Sequence, residues 1–381
     1  LRCSSCHRQS KRQQLLQRQT PQYRDGGETK YSNMKKIISI VILILLVVAS
    51  GVGYYFYKVF LGPNINANPE SATYKYLYVK PNDTWNDVVA QLDSNGWVRS
   101  VKDLETCIEY LEKETPECGK YDLEPNLGNR NFVNRLAYGL SNKAKLQLKM
   151  TRYTPWVARN LSRQLPIDSA SLADVFLADT LLGKYGLTKE SSLALFVRFD
   201  TAVQWCLTPK EVETVVLDAR ERFWNEERRA KARKTGLNLK DIHILASIVE
   251  EETNNAEDRR MVAGVYLNRL KKRMPLQACP TARYAAGDFS LNRILKKHTK
   301  IDSPYNTYKY AGLPPGPIRI PSAKAIDAVL DFVPHKYLYF CAKADFSGTH
   351  NYATTFSEHS RNARAYQKAL NQRIREQRMK K

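Results

Sequence analysis

Apolar and polar positions change their spacing several times along the chain, and each change marks an element. Ile37 to Tyr57 is an uncharged run rich in Ile, Leu and Val, long enough to cross a bilayer as a helix. Gly62 to Thr73 replaces that pattern with Pro, Asn and Ser and reads as a polar linker. Tyr76-Leu77-Tyr78-Val79 alternates as a strand, and Asn82-Asp83-Thr84-Trp85 opens a helix carrying Val88, Val89 and Leu92 on one face. A second helix is expected over 129–140, a strand over 146–150, and short helices and turns over 154–165, 169–182 and 189–196. Pro209 to Lys234 reads as one charged helix whose Glu and Arg residues alternate in sign, which favours a solvated, self-paired face. Asn238 caps the next helix, with Ile242, Leu245, Ala246 and Val249 at helical spacing, and Glu257 to Lys272 forms another. From Leu276 through Ile318, proline and glycine impose a non-helical stretch. A helix capped by Ser322, a strand over 337–340, a turn at 347–350 and a helix over 358–375 complete an α+β chain.

The helix after Asn238 ends in three carboxylates, Glu250, Glu251 and Glu252. A run of charges at a helix end is usually solvated. At roughly 100° per residue, however, the three face different surroundings. Glu251 points away from the apolar face and is expected in solvent. Glu252 falls inside the apolar arc, between Ile248 and Leu245, so it reads as a buried carboxylate needing a partner, with Arg269 the candidate. Glu250 has His243, Ala246 and Ser247 as neighbours, small and polar groups that leave room for a ligand. Downstream, the loop holding Tyr305, Asn306, Thr307 and Tyr308 offers flat rings and amide hydrogen bonds of the kind a sugar chain uses; the plainer reading is an ordered connection. His350 is a candidate at the ligand side, although such a histidine is more often a structural hydrogen bonder.

Charge then narrows the setting. The chain carries Lys+Arg 60 against Asp+Glu 38, a formal +22 that suits an anionic partner. Lysines and arginines dominate the segment before Ile37, so the positive-inside rule keeps that end in the cytoplasm and exports everything after Tyr57. An exported domain meets no nucleic acid. Met34-Lys35-Lys36 has the usual form of an export-signal start, which would make residues 1–33 upstream sequence, Cys3 and Cys6 with them. Cys107, Cys118, Cys206, Cys279 and Cys341 form no regular framework, and Cys107 with Cys118 is the pair close enough in sequence to suggest a bridge. No metal-ligand spacing and no cofactor motif is present.

The motifs in their order closely resemble a known family. They are Ala246-Ser247-Ile248-Val249-Glu250 with Glu252-Thr253, Asn268-Arg269-Leu270, Leu276-Gln277 with Pro280-Thr281, Ser303-Pro304-Tyr305-Asn306-Thr307-Tyr308, Gly312-Leu313-Pro314-Pro315-Gly316-Pro317-Ile318, and Tyr337-Leu338-Tyr339-Phe340 with His350. Together they resemble the endolytic murein transglycosylases of the MltG (YceG-like) type. The strand and capped helix at 76–92 resemble the first half of a LysM-type glycan-binding module, with Asn82 where that pattern has Gly and Trp85 where it has Leu; a small unit that merely packs on its neighbour is the alternative. The layout implied is a basic cytoplasmic N-terminus over 1–36, an anchor over 37–57, a linker over 58–73, a LysM-like module over 74–147, a connecting helical region over 148–235 and a catalytic domain over 236–381.

The resemblance implies cleavage of the β-1,4 bond between N-acetylmuramic acid and N-acetylglucosamine inside nascent peptidoglycan strands, without water, leaving 1,6-anhydromuramoyl ends at the outer face of the cytoplasmic membrane. It implies Glu250 as a single acid and base, since the sugar's own 6-hydroxyl replaces the second carboxylate of ordinary glycosidases. It also implies Gln277, Ser303, Tyr305, Asn306, Thr307 and His350 on the substrate side, Glu252, Asn268 and Arg269 as structural support, glycan strands and the membrane as partners, and peptidoglycan synthases as a further partner class. Two departures stand out: Cys279 occupies a position where the family usually has Asp, and 197–202 lacks the family's Tyr-Glu pair. A scaffold that binds peptidoglycan without cutting it is the competing reading, and a hydrolase is the third.

Overall fold

The computed structural model describes residues 26–65, 76–291 and 293–379. Residues 1–25 of the expected upstream segment, with Cys3 and Cys6, and most of the expected linker lie outside the described residues. Helix α1 (Gly26–Phe56) runs into a π-helical turn at Tyr57–Leu61. From Ser32 to Leu61 it is apolar enough and long enough to cross a membrane, and none of its most apolar stretch is buried among the described residues.

The described residues divide into two compact units, one formed by residues up to 71 with 89–113 and 124–134, the other by 72–88, 114–123 and 135–381. In the first, the segment at 62–65 is no linker. Asn64 donates to the Ser100 carbonyl (2.9 Å) and to Asn129 Oδ1 (2.8 Å), and Asn129 in turn donates to the Val59 carbonyl (2.9 Å). Buried amides of this kind must find partners, and here they pin the chain as it leaves the apolar helix. Helix α2 (Trp85–Ser94) and helix α3 (Val101–Leu111) follow, the latter capped by Ser100.

The second unit begins with strand β1 (Tyr76–Val79), paired antiparallel with β2 (Gly119–Asp122). Asn82 adopts φ 71°, a left-handed conformation that Gly takes without strain and Asn tolerates. After α4 (Asn129–Ala137), β3 (Ala144–Leu148) pairs antiparallel with β4 (Phe199–Val203). Between them α5 (Thr154–Ser162), α6 (Ser169–Phe176), α7 (Asp179–Lys184) and a 3-10 turn at Ser192–Leu195 close a first core around Leu146, Leu161, Phe176 and Phe196.

The charged helix expected over 209–234 is two helices, α8 (Pro209–Phe223) and α9 (Glu226–Thr235). Trp224 is buried between them and Asn225 caps the second, so the break comes from an aromatic anchor that an alternating charge pattern conceals. Helix α10 (Leu239–Glu252) is capped by Asn238 as its pattern predicts. It packs with α11 (Ala256–Lys271) and α13 (Ala323–Leu330) in a second core around Leu245, Val249, Tyr266 and Val329. The stretch expected to be non-helical contains α12 (Cys279–Ala286), with Pro280 in its first turn and Gly287 in the left-handed conformation after it. Strands β5 (Tyr339–Ala342) and β6 (His350–Ala353) pair antiparallel, two residues later than the pattern at 337–340 indicates, and α14 (Phe356–Met379) ends the described chain.

The expected Cys107–Cys118 bridge is absent. Cys118 bonds instead to Cys206, across a sequence separation of 88 and a Cα separation of 5.9 Å, while Cys107 is a buried free thiol. Closing a loop of that length removes about 4–5 kcal/mol of chain freedom from the unfolded state. Cys206→Ser is therefore expected to lower the melting temperature by on the order of 10 °C, and dithiothreitol should reproduce the shift in the parent chain but not in the variant. Equal calorimetric melting of oxidised and reduced protein would remove the bridge from the account.

Candidate active site

The last turn of α10 meets the proline-rich loop, and its three carboxylates follow different fates. Glu250 Oε2 accepts from Arg198 Nη2 (2.9 Å) and the Ser322 amide (3.2 Å), with Arg319 Nε 3.4 Å away. Its side chain is 8% exposed. Glu251, expected in solvent, is equally buried. Its Oε1 accepts from Arg152 (2.7 Å) and Arg319 (2.6 Å), and Arg283 lies 3.7 Å from Oε2. Burial alone would raise the Glu251 carboxyl, but the guanidinium groups of Arg152 and Arg319 outweigh it and hold it below the ordinary glutamate range. A periodicity argument on one helix places Glu251 outside that helix's own core and cannot see the arginines that arrive from elsewhere.

Those arginines are fixed by the loop they help to seat. Arg198 donates to the Ile320 carbonyl (2.8 Å), Arg152 to the Ile318 carbonyl (3.3 Å), and Ser247 of α10 accepts from the Ile318 amide (3.1 Å). Gly316 is required for the same fit, because a Cβ there would collide with the Glu190 carbonyl.

Glu252 turns the other way. It is partly buried and lines a cavity of about 360 Å³ together with Arg269, Gln277, Cys279, Tyr308 and His350. Arg269 is not its partner: that guanidinium donates to the carbonyls of Leu338 (2.6 Å) and Leu276 (2.7 Å) and holds the cavity wall. The partner is Tyr266, whose hydroxyl donates to Glu252 Oε1 at 2.7 Å. Burial pushes the Glu252 carboxyl above the ordinary glutamate value, against the opposing hydrogen bond from Tyr266 and the charges of His350 and Arg283. One carboxylate oxygen is thus engaged, and burial shifts the group toward its neutral form beside a cavity.

His350 reaches the cavity from β6, with Nδ1 2.6 Å from Asp258 Oδ2. Burial would raise the Asp258 carboxyl, but hydrogen bonds from His350 and Tyr352 bring it down to about 2. Gln277 adopts φ 52°, its amide donating to the Thr307 carbonyl (3.0 Å), so a left-handed backbone turns it onto the cavity. Cys279 Sγ lies 3.1 Å from the Tyr308 hydroxyl at the mouth of α12.

The other expected substrate residues have different work. Asn306 is fully buried and donates to the carbonyls of Ile301 (2.8 Å) and Thr299 (3.2 Å). Thr307 is buried too, accepting from the Ala278 amide (3.0 Å) and sharing a hydrogen bond with Thr281 (2.8 Å). Both staple the loop rather than face a ligand. Ser303 accepts from the Tyr305 amide (3.3 Å) within the same turn. Tyr305 stacks near Tyr284 (4.7 Å between ring centroids) in a second cavity of about 250 Å³ that Arg152 and Tyr153 also line. Asn268, expected as structural support, donates to the carbonyls of His335 (2.8 Å) and Tyr337 (3.0 Å).

Arg152, Arg198, Arg283, Arg319, Tyr266 and Asp258 contact the candidate residues and were missed by sequence reasoning. Tyr266 alone carried a local signal: it sits fourteen residues after Glu252, on the inner face of the next helix. A buried acid inside an apolar arc also had a second reading, that of a proton donor rather than a salt-bridge partner.

The chain belongs to the YceG-like family, whose model matches residues 77–365. It is 39% identical over 148 residues to the endolytic murein transglycosylase of Bacillus subtilis (strain 168), covering 39% of this chain and 40% of that protein. It is 25% identical over 356 residues to the endolytic murein transglycosylase of Streptococcus pneumoniae serotype 2, covering 86% of this chain and 64% of that one. The chain thus spans less than two thirds of the length of either curated relative. A crystal structure of a yceG-like protein from Listeria monocytogenes aligns with a TM-score of 0.49 at 23% identity, over 75% of this chain and 98% of that one.

Two outcomes test the geometry. Glu250→Gln removes the charge that Arg198 and Arg319 face and should lower unfolding stability by about 1–3 kcal/mol, read by urea titration; a variant as stable as the parent would show that the cage contributes nothing. Asp258, with its carboxyl depressed to about 2, stabilises the fold above the ordinary carboxylate range and loses that contribution as pH falls toward 2. Asp258→Asn should flatten the stability profile across that acid window, and an unchanged acid limb would contradict the His350–Asp258 pairing.

Proposed function

We propose that the protein is a membrane-anchored transglycosylase that cuts peptidoglycan glycan strands internally, with Glu252 as its acid and base. The observation that carries this reading is the position of the Glu252 carboxyl at the edge of a cavity, with the Tyr266 hydroxyl donating to one oxygen and burial raising its pKa. Glu250, the residue chosen by resemblance, has one oxygen engaged by Arg198 and the Ser322 amide, with Arg319 Nε 3.4 Å away, and it does not line the cavity beside Glu252.

The reaction then needs one carboxyl group. Glu252 protonates the glycosidic oxygen as its bond to the anomeric carbon breaks. The 6-hydroxyl oxygen of the same muramoyl residue bonds to that carbon and returns its proton to Glu252. No water is consumed, and the product is one 1,6-anhydro end and one free 4-hydroxyl. His350, held by Asp258, and Gln277 are in position to orient the sugar across the cavity.

The wider setting follows the same reading. The apolar helix would hold the protein in the cytoplasmic membrane with its N-terminus inside, and the Cys118–Cys206 bridge suits an oxidising exterior. The strand and helix at 76–94 would form the LysM-like module, and 236–381 the catalytic part, braced by Arg152 and Arg198 from the region before it. Peptidoglycan synthases are the partner class this activity would serve.

Incubation of the protein with uncrosslinked glycan strands, followed by mass analysis, tests the assignment. The parent and Glu250→Gln, assayed at equal folded concentration, should release anhydro ends, while Glu252→Gln should lose about 10²–10⁴-fold in rate with its fold intact. Because the protonated form is active, the rate should fall as pH rises through the elevated Glu252 pKa and should be insensitive to chelator. Reducing ends carrying solvent oxygen would instead identify a hydrolase, and no cleavage by the parent would identify a scaffold.

A further inference from the structure

Away from Glu252, the second unit carries another cavity, of about 600 Å³, whose lining is aromatic and cationic. Its wall is Tyr78 of β1 against Trp205, ring centroids 5.0 Å apart and planes inclined at 57°. Tyr78 is exposed, so two ring faces meet solvent at an angle. Lys80, Lys120, Lys145 and Arg163 converge on the same opening from four separate segments. Lys145 is paired with Asp200 (2.9 Å) and Lys120 lies over the Tyr76 ring (3.7 Å), whereas Lys80 and Arg163 have no ion-pair partner among the described residues.

The position of the wall is built. Trp205 precedes Cys206, which is tied to Cys118, and the Cys206 Sγ also faces the Val79 carbonyl at 3.9 Å. That linkage holds the indole beside β1. On the other side, Gln164 acts as a short strand neighbour: its Oε1 accepts from the Gln147 amide (2.9 Å) and its Nε2 donates to the Gln147 carbonyl (2.9 Å). The main-chain groups that an added peptide strand would use at Gln147 are therefore already satisfied.

We propose that this groove binds an anionic oligosaccharide and is a second glycan site, separate from the one at Glu252. Flat C–H faces of sugar rings fit the Tyr78 and Trp205 rings, and carboxylates borne on the sugar fit Lys80 and Arg163. Charge complementarity and the blocked strand edge favour such a chain over an acidic peptide, and the volume falls within the usual range for a small-ligand site. The proposal rests on the peptidoglycan reading for the choice of sugar only.

Calorimetry on the full chain carrying Glu252→Gln separates the two claims, since it reads binding without turnover. The probe is a tetrasaccharide of alternating N-acetylglucosamine and N-acetylmuramic acid, with N-acetylglucosamine tetramer as the neutral control and an oligoglutamate peptide as the acidic control. Two binding events are expected for the acidic sugar. Trp205→Ala should abolish one of them, and Lys80→Glu with Arg163→Glu, both exposed and outside the core, should weaken the same event at least tenfold and remove its salt dependence. With Glu252 restored, the Lys80→Glu/Arg163→Glu protein should cut long strands at least fivefold more slowly and short ones at the parent rate. The proposal is overturned if both groove variants keep two events, if the neutral tetramer binds the groove as tightly as the acidic sugar, or if oligoglutamate binds it more tightly. Cleavage retained by Glu252→Gln, with groove binding intact, would count against the Glu252 assignment alone.

Discussion

Three adjacent carboxylates cannot enter a low-dielectric interior as three bare charges, and the architecture of the second unit answers that constraint. Two of them meet four arginines drawn from three regions of the chain. The third meets a tyrosine hydroxyl on one oxygen, and burial raises its pKa. The division gives Glu252 an environment unlike that of its neighbours, because an unneutralised carboxylate beside it would raise its pKa further than burial alone. The cage around Glu250 and Glu251 is therefore part of the acid's environment, although it touches no cavity wall at Glu252.

The same arginines also organise the backbone. Each that binds a carboxylate in α10 from the preceding region binds a carbonyl of the proline-rich loop as well, at Ile318 or Ile320. The loop is held from both sides, and with it the amide of Ser322 that caps α13 and contacts Glu250. Polar side chains do the equivalent work at the other end of the loop, where Asn306 and Thr307 satisfy backbone groups that would otherwise be buried without partners.

How much of this was legible in the sequence depends on the range of the interaction. Asn238, Ser322 and the apolar positions of α10 and α13 act within a few residues, and the elements they specify stand where the pattern puts them. The family motifs, read in order, located the loop and the helix that carry the site. The partition of the three glutamates was half visible: helical spacing turned Glu252 and Glu250 to different sides, but a single helix says nothing about Arg152 or Arg198, or about the Gln277, Tyr308 and His350 side chains that line the cavity with Glu252. Asn306 and Thr307 misled for a different reason, since a loop amide or hydroxyl serves a backbone as readily as a sugar. Cys118 and Cys206 are too far apart in sequence for spacing to join them.

Arg152 and Arg198 precede their carboxylate partners by 99 and 52 residues. Arg283 and Arg319 follow those partners instead, and Ile320, one residue beyond Arg319, belongs to the first core. The cage therefore cannot close until the chain has been made past the proline-rich loop. The final turn of one helix thus ties together segments synthesised before it and after it.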